Sequence, residues 1–139
     1  MPTLTSEMRT YLRGDADILA QVGPRIRSQK LDQGETLPAI RLAIAGGSDE
    51  EHLGGGSDLA HAILQIDAYA VTSEAADTLA ELIRLRMRIG RTMLDTVMAR
   101  GISMTGNLRH HTEPIDDGGN EYRYIASRDY RISYAQPTS

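Results

Sequence analysis

The clearest secondary-structure signal in the chain is a change of hydrophobic period within residues 60–87, AHAILQIDAYAVTSEAADTLAELIRLRM. Ala60 to Val71 alternates, with small and aliphatic residues on one face and a mixed set on the other, which is typical of a half-buried strand. Thr72 or Ser73 can then cap a helix, because a hydroxyl there accepts from backbone N–H groups that lack a partner. The stretch therefore predicts a strand followed directly by a helix.

The predicted central helix has a buried stripe and a favourable charge order. Glu74 and Asp77 lie near its start and three arginines near its expected end, which suits the helix dipole. Gly90 is expected to interrupt this helix, with Thr92 to Ala99 as a further turn or two. The stripe comprises Ala76, Leu79, Leu82 and Ile83, and the arginines are Arg84, Arg86 and Arg88.

The residues before this stretch predict a short helix and a second strand. Apolar residues from Met8 to Val22 recur at helical spacing, with a break at Gly14-Asp15 and an end at Gly23-Pro24. A short strand is expected at residues 25–27 and a longer one over Pro38 to Ala45. The glycine-rich, acidic residues 46–58 then predict a loop.

The last third of the chain predicts a long hairpin. Alternation from Ile102 leads to Pro114 and the turn sequence DDGGN at residues 116–120, and a return strand follows. A bulge is expected near Arg128, where the alternation breaks. The four tyrosines of the return strand share one face, which suits either a half-buried sheet face or a subunit interface. They are Tyr122, Tyr124, Tyr130 and Tyr134.

The composition is that of a small globular protein and excludes several classes. The chain has 139 residues, 40% of them hydrophobic and 24% charged, with a formal net charge of -4. It contains no cysteine, so disulfides and thiolate metal sites are excluded. No apolar run approaches the roughly 20 residues of a membrane span, and the polar N-terminus is unlike a secretory signal. The acidic balance and the absence of Phe and Trp argue against sequence-specific or stacking nucleic-acid binding.

Four groups of residues invite a chemical interpretation, and each favours a plain structural one. His110 and His111 are adjacent on a strand and so point to opposite faces, which leaves at most two metal ligands with Glu113. Residues 49–52 lack the alternating ligands of a calcium loop, and residues 54–57 lack the phosphate-binding loop pattern. Asp67 lies mid-strand on the mixed face, where an arginine on a neighbouring strand is the commoner explanation. We therefore predict no metal, cofactor or catalytic residue.

The order of these segments resembles the tail-completion (tail terminator) family of siphophages and related gene-transfer particles. The matching segments are Val22-Gly23 with Arg25-Ile26, then Leu37-Pro38 with Ile40, then Leu64 to Ala70, and finally Asp129 to Tyr134. This sequence departs from the family between Gly90 and Gly101, which is longer than a minimal member needs. The predicted fold class is α+β: a mixed, mainly antiparallel sheet flanked by an N-terminal helix and one central helix, with a long C-terminal hairpin, in a single domain over residues 1–139.

The resemblance implies a structural virion protein of the head–tail interface that is assembled in the host cytoplasm. It implies a ring of six copies that caps the tail tube, stops its growth and contacts the tube protein and the head-completion protein. DNA would pass through the bore without specific binding. Candidate interface residues are Tyr69, the four tyrosines of the return strand, Asp49, Glu50 and Glu51, and candidate bore-lining residues are Asp116 and Asp117.

Three alternatives stay open at this point. The first is another head–tail connector component, such as a stopper or an adaptor. The second is a small metal-dependent hydrolase built around His110, His111, Glu113 and Asp67. The third is a dimeric binding module.

Overall fold

A five-stranded sheet with helices on one of its faces forms the structure. The computed structural model describes residues 4–32, 34–48, 59–93, 99–115 and 121–135. The elements in chain order are α1 (Leu4–Arg13), α2 (Ala16–Val22), β1 (Ile26–Ser28), β2 (Ala39–Ser48), β3 (Leu59–Ala70), α3 (Ser73–Met93), β4 (Ala99–Pro114) and β5 (Tyr122–Ala135). The α+β class predicted from the sequence is confirmed.

The break between the two N-terminal helices and the end of the second lie where the sequence predicts, and α1 begins earlier, at Leu4. The Asp15 carboxylate separates them and caps α2, accepting from the N–H groups of Asp17 at 2.9 Å and Ile18 at 3.1 Å. Gly23 ends α2 with a positive φ of 53°, and its N–H donates to the Leu19 carbonyl. Glycine takes up this backbone conformation without steric cost.

The sheet is mixed, with strand order β1-β2-β3-β5-β4. β1 pairs parallel with β2, and the other neighbours pair antiparallel. The predicted C-terminal hairpin is β4 and β5, which pair from Pro114–Tyr122 to Ala99–Tyr134 with an irregularity between Thr105 and Arg109. The long antiparallel pairing of β3 with β5 places the hairpin beside the centre of the sheet.

All three helices pack on the same face of the sheet. α3 contacts β3, β4 and β5, while α1 and α2 contact β1 and β2. The core between the helices and the sheet is mainly aliphatic. Every second residue of β3 faces the helices, and these residues are alanine, leucine or isoleucine. Its largest fully buried side chains include Met8, Leu12, Ile18, Ile40, Leu42, Leu64, Leu79, Met87 and Ile132.

The central helix is longer than the sequence predicts. Thr72 caps it through a bond from the Ala75 N–H, and the predicted stripe is buried apart from a partly exposed Leu82. Gly90 does not interrupt it, since α3 continues to Met93. A single glycine costs a helix only about 1 kcal/mol, which packing along the rest of α3 offsets. Arg84, Arg86 and Arg88 therefore lie within the helix and not at its end.

Two strand predictions also need correction. Residues 46–48, predicted as loop, continue β2 and pair with β3. Ile44, on the same face as the buried Ile40 and Leu42 by alternation, is exposed; β1 ends level with Leu42, and no described strand flanks Ile44 on its outer side. The predicted bulge does lie opposite Arg128, but the extra residues belong to β4, where Thr105 pairs with Asp129 and Arg109 with Ser127.

Candidate interaction surface

The face of the sheet opposite the helices carries charged residues, and we call it the open face. It is built from the alternate residues of β2 to β5 that point away from the helices. Its end near the hairpin tip is covered by apolar side chains, where Leu31 and Leu37, between β1 and β2, contact Ala39, Tyr69 and Ile125. The open face is therefore the surface through which the subunit can present paired charges to another protein.

The Asp67 carboxylate lies at the centre of the open face and is 1% exposed. It is directly opposite Arg41 on β2, whose guanidinium Nε donates to Oδ2 at 2.7 Å. Gln65 donates to the second carboxylate oxygen at 2.9 Å. The cross-strand arginine predicted for Asp67 is thus confirmed. Since both oxygens are engaged, the carboxylate is held in place as a structural group.

A second ion pair joins the two hairpin strands next to the irregularity in β4. Arg109 donates to both carboxylate oxygens of Asp129, at 2.9 and 3.4 Å. This bond raises the pKa of the Arg109 guanidinium above its ordinary value. Gly106 begins the irregular stretch with a φ of 74°, a conformation that favours glycine. The pair is more exposed than that of Arg41 and Asp67, so it is available for contact with a partner.

A third ion pair closes the end of the open face near the hairpin tip. Arg123 is buried, and its guanidinium donates to the Glu113 carboxylate at 2.8 Å and to the Asp32 carbonyl at 3.1 Å. It also lies 4.9 Å above the ring centre of Tyr69. Burial raises the pKa of the Tyr69 phenol, and the nearby Asp67 charge adds to this effect. Arg123 was not singled out by the sequence, although its place opposite Glu113 follows once the hairpin register is known.

The candidate interface tyrosines occupy different environments. Tyr130 is 2% exposed and belongs to the helix-side core, and Tyr124 packs against that core. Tyr69 lies on the other face and is 4% exposed beneath Arg123. Tyr122 is 48% exposed, and Tyr134 pairs with Ala60 in the backbone ladder. Their role at an interface remains a prediction, and Tyr122 has the largest exposed area of those whose exposure is described.

The acidic candidates lie outside the described residues. Asp49, Glu50 and Glu51 follow the last described residue of β2, and Asp116 and Asp117 follow Ile115 at the hairpin tip. The N–H of Ile115 donates to the Glu121 carbonyl at 3.0 Å, which brings the two ends of the tip together. Their assignment to an interface or to a bore remains a prediction.

The histidines of β4 do not converge on a metal-like arrangement. His110 faces α3, where its Nε2 lies 2.6 Å from the Asp77 carboxylate, whereas His111 faces the other side. Glu113 is paired with Arg123, and Asp67 with Arg41. Among the described residues, no group of three or more His, Asp or Glu side chains could hold a metal ion. Three of the four residues of the hydrolase alternative thus lie in separate ion pairs, and His111 lies on the other face from His110.

One contact that positions the N-terminal helices was not foreseen. The Tyr11 hydroxyl donates to the Arg86 carbonyl at 2.6 Å, and the Arg86 guanidinium lies 4.0 Å from the Tyr11 ring centre and donates to the Tyr11 carbonyl. Burial raises the pKa of Tyr11, and the Arg86 charge opposes this. Tyr11 fits the apolar period of its helix and was interpreted only as a core residue, so the sequence did not predict the bond from its hydroxyl to Arg86.

The family model of tail completion protein gp17 matches residues 6–105, which is well over half of the chain. The chain belongs to the phage tail completion family. The matched range contains three of the four segments that carry the resemblance, and Asp129 to Tyr134 lie beyond it. A member of the tail completion family is a structural component of a phage tail. No curated protein matches the chain, and none of the helices in the described ranges is long and apolar enough to cross a membrane.

Proposed function

We propose that this tail completion protein forms a ring, of six copies, that caps the head-proximal end of the tail tube. The ring stops tube growth and offers a surface to the head-completion protein, in a phage or a gene-transfer particle, after assembly in the host cytoplasm. The observation that carries the proposal is the family match over residues 6–105. The whole chain acts as one domain in this proposal.

The open face supports a role in contact between proteins. Its ion pairs hold charged side chains in fixed positions across neighbouring strands, as Arg109 and Asp129 do. Fixed charges favour specific partners, because an incorrect juxtaposition of like charges costs several kcal/mol. Two exposed apolar residues, Val71 and Tyr122, lie at the hairpin end of the sheet and add contact area there.

Loss of the protein from the particle tests the proposal. In assemblies that lack this chain, negative-stain imaging should show tails of uncontrolled length or tails without heads, because nothing ends the tube. Supplying the wild-type chain should restore tails of uniform length. Normal tails joined to heads in its absence would contradict the proposal. Tails of normal length that fail only to join heads would instead indicate a stopper or adaptor.

The ring acts without catalysis in this proposal. His110→Ala and His111→Ala should leave capping intact, because these residues pair with Asp77 or face solvent. An enzyme built on them would lose its turnover. A loss of capping by a folded variant with both substitutions would contradict this assignment.

The bore lining is a separate part of the proposal. Asp116 and Asp117, at the hairpin tip, would line the DNA path, where acidic walls let phosphates pass without tight binding. Charge reversal at both positions should change DNA retention or ejection without unfolding the subunit. Particles that retain and eject DNA normally with both charges reversed would exclude these residues from the bore.

A further inference from the structure

At each lateral edge of the sheet, a stretch of strand has no neighbouring strand on its outer side within the described residues, and the two stretches lie at the same height along the strands. β4 forms one edge, and within the described residues its outer side has no strand beside it. β1 forms the other edge, but it covers only residues 40–42 of β2. Open edges of this kind favour pairing with another strand, so proteins usually protect them or use them.

The second edge is open because the chain turns away from β2 after three paired residues. Gln29 has a φ of 70°, and its N–H donates to the Leu42 carbonyl at 2.7 Å. The following segment crosses to the open face, where Leu31 and Leu37 pack. The outer side of β2 from Ala43 to Ser48 is therefore without a described neighbour.

The register of the sheet aligns this part of β2 with the first part of β4. At one end of the unpaired stretch, Ala43 is level with Gln65, Asp129 and Thr105. At its other end, Ser48 is level with His61, Ser133 and Gly101. The open stretches 43–48 and 101–105 thus lie at the same height on opposite edges of one subunit.

We propose that copies of this chain join edge to edge, with residues 101–105 of β4 in one subunit paired with residues 43–48 of β2 in the next. β4 runs antiparallel to β2, and rotation about a ring axis along the strands keeps strand directions and heights unchanged. The new pair is therefore antiparallel, which is the more stable arrangement. Because the two edges differ, the contact is head-to-tail, and such a contact forms a ring when the rotation between subunits closes. The inference rests on the proposed ring.

Single cysteines placed on the two edges test this contact directly, because the chain contains none of its own. Ala43→Cys and Thr105→Cys occupy the same level of the sheet. Within one subunit they are three strand spacings apart, roughly 14 Å, which is too far for a disulfide. Directly opposed residues of neighbouring strands have Cβ atoms about 5 Å apart. Mild oxidation of the double variant, free and bound to purified tail tubes, should therefore link neighbouring subunits.

The expected result is a ladder of covalent multimers larger than a dimer from the double variant and none from either single variant. A matched control pairs Ala43→Cys with Thr112→Cys, which lies level with Tyr124 at the far end of the sheet and should not be linked. Native mass measurement of each variant verifies that assembly is unchanged.

Three outcomes would overturn the edge contact. Dimers from Thr105→Cys alone would show that two β4 edges pair about a two-fold axis. Rings by native mass without covalent multimers would reject this edge contact and leave the proposed ring intact. A chain that stays monomeric beside tail tubes and forms no covalent multimers would reject both.

Discussion

The two faces of the sheet are built in different ways. The face under α1, α2 and α3 is closed by aliphatic side chains, whereas the open face is organised by ion pairs. β3 contributes to both, since Leu64 and Ile66 are buried under the helices while Ile63 and Gln65 are partly exposed on the other side. The difference indicates that most of the apolar burial lies on the helix side, whereas the open face carries the charged side chains.

The largest expected effect comes from a core truncation on the helix side. Leu64→Ala should lower the free energy of unfolding by about 3–5 kcal/mol, because it removes buried methyl groups and leaves a cavity. Ile63→Ala, one residue earlier on the open face, should cost less than about 1.5 kcal/mol. Urea unfolding of the purified chain, followed by circular dichroism, measures both.

The outcome that would contradict this contrast is equal destabilisation by the two substitutions. It would mean that the open face is packed within the subunit as tightly as the helix side. A large effect of Ile63→Ala on tube binding, without an effect on unfolding, would instead strengthen the distinction between the two faces.

Most of the helix-covered face could be predicted from the sequence. Alternation in residues 60–70 and the stripe on α3 follow from the two hydrophobic periods, and they predict which residues are buried. The arginine opposite Asp67 also followed, because a charged residue in mid-strand needs a partner on the next strand. These features depend on local sequence or on a single strand pairing, and so they can be predicted from the sequence.

The open face could be predicted only in part. Whether Tyr69 is exposed depends on Arg123 and on the segment between β1 and β2, which return to the sheet from distant parts of the chain. The end of α3 depends on tertiary packing, which offsets the cost of Gly90. No local pattern encodes contacts of this kind.

A smaller effect is expected from the ion pairs of the open face. Arg41→Met should cost about 2–3 kcal/mol, because it leaves the buried Asp67 carboxylate with only the Gln65 bond. Arg109→Met removes the arginine of a more exposed pair and should cost less than about 1 kcal/mol. Thermal and urea unfolding at low and high salt compare the two variants.

The double variant Arg41→Met with Asp67→Asn is the control for this pair. It removes both charges, so it should recover part of the stability lost in Arg41→Met alone. An equal loss of unfolding free energy in Arg41→Met and Arg109→Met would contradict this prediction. It would mean that the two ion pairs are equally solvated despite their different burial.

The smallest expected effect concerns two tyrosine hydroxyls on the helix side. Tyr11→Phe removes the bond to the Arg86 carbonyl and should cost about 1 kcal/mol. Tyr130→Phe removes a buried hydroxyl that lies near the Arg128 guanidinium without the geometry of a hydrogen bond to it, so the substitution should be neutral or slightly stabilising. Urea unfolding of the two variants at neutral pH separates a bonded hydroxyl from an unbonded one. Destabilisation by both to the same extent would show that the Tyr130 hydroxyl is bonded in solution.

The same tyrosine predicts how stability changes at alkaline pH. Burial raises the pKa of Tyr130, although the Arg128 guanidinium opposes the rise. The unfolded chain therefore loses this proton near pH 10 while the folded chain keeps it, so the free energy of unfolding falls as the pH rises from about 10 towards the folded-state pKa. Tyr130→Phe should reduce this fall without abolishing it, since burial also raises the pKa of Tyr69 and Tyr11. Urea unfolding between pH 9 and about 11.5 tests the slope, and an unchanged slope in Tyr130→Phe would mean that the phenol ionises as readily in the folded chain as in the unfolded one.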